Sequence, residues 1–368
     1  MPVTSVHIDT ARTWRGGQNQ VLLTVTGLAE IDHPAVLVAN KRGELAQRVS
    51  EGLRFLPFSP RSEFDVRAAW QLARIFASVR PQVIHAHDPH AVALAAMALK
   101  SPLGAGVARP LFVASRRVDF HLQRHAFSRW KNGQVDVWIC ASGLIADMLT
   151  RDGIPASKIV VVHEGVNTSK ISKLPAVDAH AAFFLPHGAP VVGNVAALVP
   201  HKGQRHLIGA AARVVRDVPD ARFVILGDGE LRASLERQIK DLGLDRHVIL
   251  GGFRDDVIGL IKSFDLFVMS SVTEGLGTSI LDAMACGKAV VGTRTGGIPE
   301  AVQDGVTGLL VPPHDERALA DAIVRVLKDR GLRDQLAAAG LHRATTHFSV
   351  ERMVQETLAV YEQRLSKQ

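Results

Sequence analysis

Short apolar runs alternate with amphipathic segments along this chain, and the pattern occurs twice. The first series of runs falls at residues 3–9, 36–39, 83–87, 112–115, 137–141 and 159–163. The second falls at 191–196, 223–227, 248–251, 266–269, 289–292 and 308–311. The runs are rich in Val and Ile, as are strands buried on both faces of a parallel sheet covered by helices. Segments with helical spacing lie between them, among them 66–79, 202–218, 230–242 and 315–329. Strand–helix–strand alternation predicts doubly wound sheets, and two series predict two of them. Residues 171–190 hold Pro175, Pro186, Gly188 and Pro190 and lack a clean period, so the linker is expected there. The expected division is a Rossmann-like domain at 1–170, the linker at 171–190, a second Rossmann-like domain at 191–345 and a final helical segment at 346–368.

The 368 residues suit two such domains, and 47% hydrophobic with 21% charged residues is a soluble, globular balance. The longest apolar run, 91–99, falls far short of the ~20 residues that span a bilayer. Residues 1–7 show neither the basic start nor the apolar middle of a signal peptide, and two distant cysteines, Cys140 and Cys286, suit a reducing compartment. A cytoplasmic location is therefore expected. Residues 1–165 carry 19 Lys and Arg against 13 Asp and Glu, whereas 166–368 carry 24 against 23. The basic half points to an anionic partner. No zinc-finger spacing or other nucleic-acid motif is present, so nucleic acid is not expected. The segment holding Arg116, Arg117, Arg124, Phe127, Arg129, Trp130 and Lys131 mixes cations with aromatics, as a surface lying on anionic membrane does.

Open α/β sheets bind ligands beyond the carboxyl ends of their strands. After the run at 266–269 comes Glu274-Gly-Leu-Gly-Thr-Ser-Ile-Leu-Asp282. Gly275 and Gly277 permit a sharp turn, Thr278 or Ser279 is expected to cap the following helix, and the first amides of that helix suit a phosphate. Asp282, about one turn in, offers a carboxylate to paired hydroxyls such as those of a ribose. Glu274, before the glycines, is placed to meet sugar hydroxyls. A second phosphate-friendly turn follows the run at 289–292, with Gly296-Gly297-Ile-Pro-Glu300.

This stretch resembles the family-4 group of retaining glycosyltransferases. Their pattern is an acid, seven residues, a second acid, Ala-Met-Ala-x-Gly-x-x-Val-Val and Gly-Gly-x-x-Glu. It is met here by Glu274, Asp282, residues 283–291 and 296–300. The resemblance extends to Gly16-Gly17-Gln18, to Leu198-Val-Pro-His-Lys202-Gly203, to Gly227-Asp-Gly-Glu230, to residues 161–167 and to residues 305–311. It implies a GT-B fold, two Rossmann-like domains facing across a cleft, with a last helix that returns to the N-terminal domain. It also implies transfer of a hexose-type sugar, with retention, from a nucleotide-diphosphate donor to a glycan or lipid-linked acceptor. Implied donor contacts are Gly16, Gly17, Lys202, Gly227, Glu274, Gly277, Thr278, Ser279 and Asp282. Lys202 and the helix-start amides would meet charge on the leaving diphosphate, and Glu274 would position the sugar. No Asp-x-Asp occurs, so neither a metal nor any other cofactor is implied.

Three places depart from the family pattern. Ala197 stands where an arginine commonly assists the diphosphate lysine, leaving Arg205, Arg294 or an N-terminal arginine to substitute. Asp282 replaces the more usual Glu. The histidine common after the run at 112–115 is missing, and Arg116, Asp119 and His121 are the nearest polar candidates. Asp119 and His121 are therefore carried as catalytic candidates, with His87, Asp88, Arg116 and Arg117 on the acceptor side. His85-Ala-His87-Asp88-Pro-His90 has the look of a metal cluster, but no further ligand is spaced for zinc, and acceptor contact is the expectation. Rival readings are a sugar-nucleotide epimerase of the same fold, a catalytically inactive sugar-nucleotide binder and a Rossmann dehydrogenase. The last needs a Gly-x-Gly-x-x-Gly turn that Arg15-Gly-Gly-Gln18 does not supply.

Overall fold

The structure, a computed structural model, describes residues 2–50, 52–101 and 109–367. Among these the chain forms two compact units. One joins Met1–Gly165 with Val350–Gln368, and the other is Val166–Ser349.

The first unit holds a seven-stranded sheet of β1 (Ser5–Asp9), β2 (Ala35–Asn40), β3 (Arg54–Phe58), β4 (Val83–Ala86), β5 (Leu111–Arg116), β6 (Val137–Cys140) and β7 (Ile159–Val161). Its order is β3-β2-β1-β4-β5-β6-β7, with every pairing parallel. The order reverses between β1 and β4, the switch point where such sheets bind ligands. Alternate residues serve opposite faces. Val6, Ile8, Ile84, Ala86, Phe112 and Ala114 join one core, while Leu37, Ala39, Val83 and Val113 join the other. On that second face β1 and β4 break the apolar pattern and present Ser5, His7, Asp9 and His85, all buried. The helices Gly16–Glu30 and Val350–Leu365 pack over this face. Tyr361 is fully buried there, and Val354 lies so close to Gly27 that a Cβ at residue 27 would fall 2.5 Å from it.

The second unit holds a six-stranded sheet of β8 (Val191–Val195), β9 (Arg222–Leu226), β10 (Val248–Gly252), β11 (Leu266–Met269), β12 (Ala289–Thr293) and β13 (Leu309–Val311). The order is β10-β9-β8-β11-β12-β13, again parallel, with its switch point between β8 and β11.

The expected linker at 171–190 lies inside this second unit. It carries the helices Thr168–Lys173 and Ala179–Ala182, whose Ile171 and Ala179 are buried in the core, and Val177 N–H donates to the Gly259 carbonyl at 2.9 Å. Helices this short display no period, which is why the stretch reads as irregular. The crossing from one unit to the other falls at Gly165–Val166.

Candidate active site

In the second unit the chain leaves β8 through Ala197 and Leu198 into a single turn, Pro200–Lys202, before the helix Gln204–Asp217. Leu198 N–H donates to the Asp228 carbonyl at 3.0 Å, so the loops after β8 and β9 form one ledge. Gly227 is a packing requirement of that ledge, because a Cβ there would fall 2.0 Å from the Ala196 carbonyl oxygen.

Lys202 reaches from this ledge to Glu274 and donates to both carboxylate oxygens, with Nζ 2.8 Å from Oε1 and 2.6 Å from Oε2. Glu274 is held from several sides. Ser271 Oγ donates to its Oε2 at 2.9 Å, and Gly297 N–H donates to its carbonyl at 3.0 Å. Gly296 lies so close that a Cβ would stand 1.9 Å from that carbonyl oxygen, and its φ of 58° is left-handed. The hydroxyls of Thr293 and Thr295 donate to the Ser271 and Val272 carbonyls at 2.5 and 2.7 Å. The two glycine turns are therefore one clasp around the Glu274 backbone.

Two helices begin here without a side-chain cap: Gln204–Asp217 after Gly203, and Thr278–Ala285 after Gly277. The expected cap by Thr278 or Ser279 is not made. Those residues occupy the first two helical positions, and Gly277, at φ 91°, stands at the N-cap. A glycine cap has no acceptor, so first-turn amides and the dipole remain for an anion. Asp282 lies farther along this helix. Its half-buried carboxyl accepts no hydrogen bond among the described residues, and burial pushes its pKa up to about 7. Of the arginines considered in place of Ala197, Arg294 is ion-paired to Asp304 and Arg205 is exposed.

In the first unit the helix Gly16–Glu30 follows β1 with an exposed Gly16, an extended Arg15 at its N-cap and no capping side chain. Asp88, expected on the acceptor side, is engaged within the first unit. It caps the helix Pro89–Leu99 by accepting at Oδ1 from His90 and Ala91 N–H at 2.9 and 3.0 Å, and it accepts from Thr10 N–H at Oδ2 and Thr10 Oγ1 at Oδ1, at 2.7 and 2.8 Å. Arg116 is buried and donates to the Phe120 carbonyl. Arg117 Nη1 donates to His87 Nδ1 at 3.1 Å, and its Nε lies 3.3 Å from Glu164 Oε1. His121 is exposed and donates through Nδ1 to Asp152 at 2.8 Å. Asp119 is half-buried and makes no hydrogen bond among the described residues.

His87 does not stand alone with His85. His7 from β1 joins them, with ring centroids 4.1–5.3 Å apart and all three buried. One ligand atom from each lies within 4.8 Å of the others. Sequence spacing misses His7 because it is 78 residues from His85. The usable signal is a histidine breaking an apolar run, since parallel pairing sets His7 opposite His85. Burial drives the His7 pKa down to about 3 and those of His85 and His87 well down, with the Arg117 charge adding to each. All three rings are neutral. Burial and the Asp88 charge together raise Asp9 to about 6.

Two parallel, doubly wound units with uncapped helix starts at their strand ends define the GT-B class, and solved structures agree. Anabaena HepE in complex with UDP-glucose has a TM-score of 0.83, covering 100% of both chains at 23% identity. A sucrose-phosphate synthase from Thermosynechococcus elongatus scores 0.80, also over 100% of both chains at 21% identity. Residues 178–343 match the family Glycosyl transferases group 1, and residues 14–170 match Glycosyltransferase Family 4. The chain belongs to this glycosyltransferase family. It is 37% identical over 185 residues to the lipopolysaccharide core biosynthesis glycosyltransferase LpsE of Rhizobium meliloti, which covers 50% of this chain and 53% of that protein. It is 26% identical over 346 residues to the putative glycosyltransferase EpsD of Bacillus subtilis, covering 89% and 88%. The first of these matches spans about half of its relative's length.

Proposed function

We propose that this protein is a retaining glycosyltransferase of cell-envelope glycan synthesis. It moves a hexose-type sugar from a nucleotide-diphosphate donor to a glycan or lipid-linked acceptor, without a bound metal. The observation that carries the reading is the Lys202–Glu274 pair, set beside two uncapped helix starts at the carboxyl ends of β8 and β11. A departing diphosphate gains negative charge as the anomeric bond breaks, so a cation and fixed amide dipoles aimed at it lower the barrier. Lys202 and the amides of Thr278 and Ser279 have that chemistry. Donor binding exchanges the pair: the diphosphate takes Lys202, and a sugar hydroxyl takes Glu274. The Asp282 carboxylate receives the ribose hydroxyls, and the uncapped start of the Gly16–Glu30 helix is assigned to the donor on its own motif. The acceptor is assigned to the first unit, where Arg116 ends β5 and Arg117 and Asp119 follow it.

A peripheral position on the cytoplasmic membrane face is part of the proposal. It is supported by exposed Phe64, Phe120 and Trp130 alongside exposed Arg124 and Arg129, with Phe64, Phe127 and Trp130 in ring contact. No helix among the described residues is long and apolar enough to cross a membrane.

A thermal-shift screen with UDP-, GDP- and ADP-sugars tests donor binding, since a ligand of the native state raises the midpoint by mass action. One sugar nucleotide should raise it, and a flat response to all three sinks the proposal. NMR of the product reads the anomeric configuration, and inversion would remove the retaining assignment. Binding to anionic vesicles but not neutral ones is expected, and equal binding to both would remove the membrane assignment.

A further inference from the structure

The three buried histidines invite a metal, but their hydrogen bonds direct them to another task. An arginine can only donate, so Arg117 Nη1 fixes His87 Nδ1 as a bare nitrogen and places the His87 proton on Nε2. That proton is donated to His7 Nδ1 at 3.0 Å, which places the His7 proton on Nε2, facing Ser5 Oγ at 3.0 Å. His85 stands beside this chain with Nδ1 2.6 Å from Tyr361 Oη and Nε2 2.7 Å from Ser115 Oγ. Every ring nitrogen is engaged. A cation binding His87 Nε2 would force a proton onto Nδ1 and turn an N–H against the guanidinium, beside an existing positive charge.

The relay ends on Arg117, which is gripped by Glu164 at Nε and by His87 at Nη1 and is 15% exposed in its side chain. Among the described residues Nη2 donates to nothing, so one edge of an immobilised guanidinium is left over. A planar donor fork held in this way suits an oxyanion. We propose that Arg117 recognises a phosphoryl or carboxylate group on the acceptor, and that His87 and Glu164 are positioning residues which aim it through tautomers locked by the buried relay. The acceptor half of this statement rests on the assignment of the first unit to the acceptor made above.

Long-range nitrogen-15 NMR on the full chain reads the tautomers directly. His7 and His87 should both carry the proton on Nε2 at neutral pH, and Arg117→Met should release them to mixed forms. An Nδ1–H tautomer at His87, or stoichiometric zinc retained after incubation with Zn²⁺, overturns the relay. Recognition is read by titrating inorganic phosphate while following the Arg117 Nε–H signal. A saturable shift is expected, weakened at least about tenfold in His87→Leu. It should return to within about threefold in His87→Asn, whose carbonyl accepts from Arg117 as Nδ1 does. No shift in the native chain, or an undiminished one in His87→Leu, overturns the positioning role. The titration is repeated with saturating UDP. A shift that survives supports the acceptor as the source of the anion, and one that vanishes assigns the anion to the donor and overturns that half. None of these signals depends on sugar transfer, so a chain that transfers nothing still gives a readable answer.

Discussion

Lys202 and Glu274, 72 residues apart, form a two-point ion pair in which Nζ contacts both carboxylate oxygens. On the proposed reading, a cation and an anion that would address different parts of one donor hold each other in its absence. Each is kept oriented by the other.

Removing Lys202 should cost about 10²–10³ in kcat, the usual loss when one fixed electrostatic contact to a developing anion is deleted, and removing Glu274, proposed to position the sugar, should cost about 10²-fold through misplacement of the donor. Lys202→Ala and Glu274→Ala should retain native circular dichroism. Wild-type turnover in both would refute the assignment. Pairing makes the two losses non-additive in stability, so a double-mutant cycle in urea should return a coupling of about 0.5–3 kcal/mol.

Asp282 should make the protein pay a stability penalty at neutral pH. Its carboxyl titrates near 7 in the folded chain against 3.8 in the unfolded one. Between those values the folded state holds the proton more tightly, so the Asp282 contribution falls as pH rises from about 4 to about 7. Asp282→Asn should therefore melt about 2–4 °C higher than the native chain at pH 8, with the gap closing towards pH 4. The same variant should bind the donor more weakly. Equal melting at both pH values would show that the carboxyl is not buried as described.

Gly296→Ala should be more damaging than most surface changes. A Cβ 1.9 Å from the Glu274 carbonyl oxygen cannot be accommodated without moving the clasp, and the left-handed φ adds strain. We expect a loss of at least about 2 kcal/mol in denaturant unfolding and a rise in donor KM. An unchanged KM would separate the clasp from the positioning of Glu274.

Tyr361→Phe removes the partner of His85 Nδ1 from a fully buried site. Leaving that nitrogen unpaired should cost about 1–3 kcal/mol. Equilibrium urea curves at neutral pH measure it, and a neutral or stabilising result would show that a second group satisfies His85.

The strands were legible wherever burial on both faces produced unbroken Val- and Ile-rich runs, and the helix Val66–Val79 is readable from its apolar stripe alone. β3 was not, because an edge strand with Pro57 and an exposed Arg54 carries neither signal. The helix Arg330–His347 buries only Leu336, Gly340 and Ala344, too few for a visible stripe. In the site, the motif named Glu274, Lys202 and Asp282 but not their partners. The ion pair, the clasp at Gly296 and the third histidine all depend on which strands become neighbours. Sequence order conceals this, since β1 pairs with β4 and β8 with β11.

The division of the chain also sets an order of manufacture. Residues 350–367, including Tyr361, belong to the unit whose other residues are made before Val166–Ser349. A ribosome therefore delivers every part of the later unit, Val166–Ser349, before the earlier one can close. Until then the face of the first sheet that carries His85 has the Gly16–Glu30 helix but not Val350–Leu365 to cover it, and the unit begun before its neighbour is completed after it.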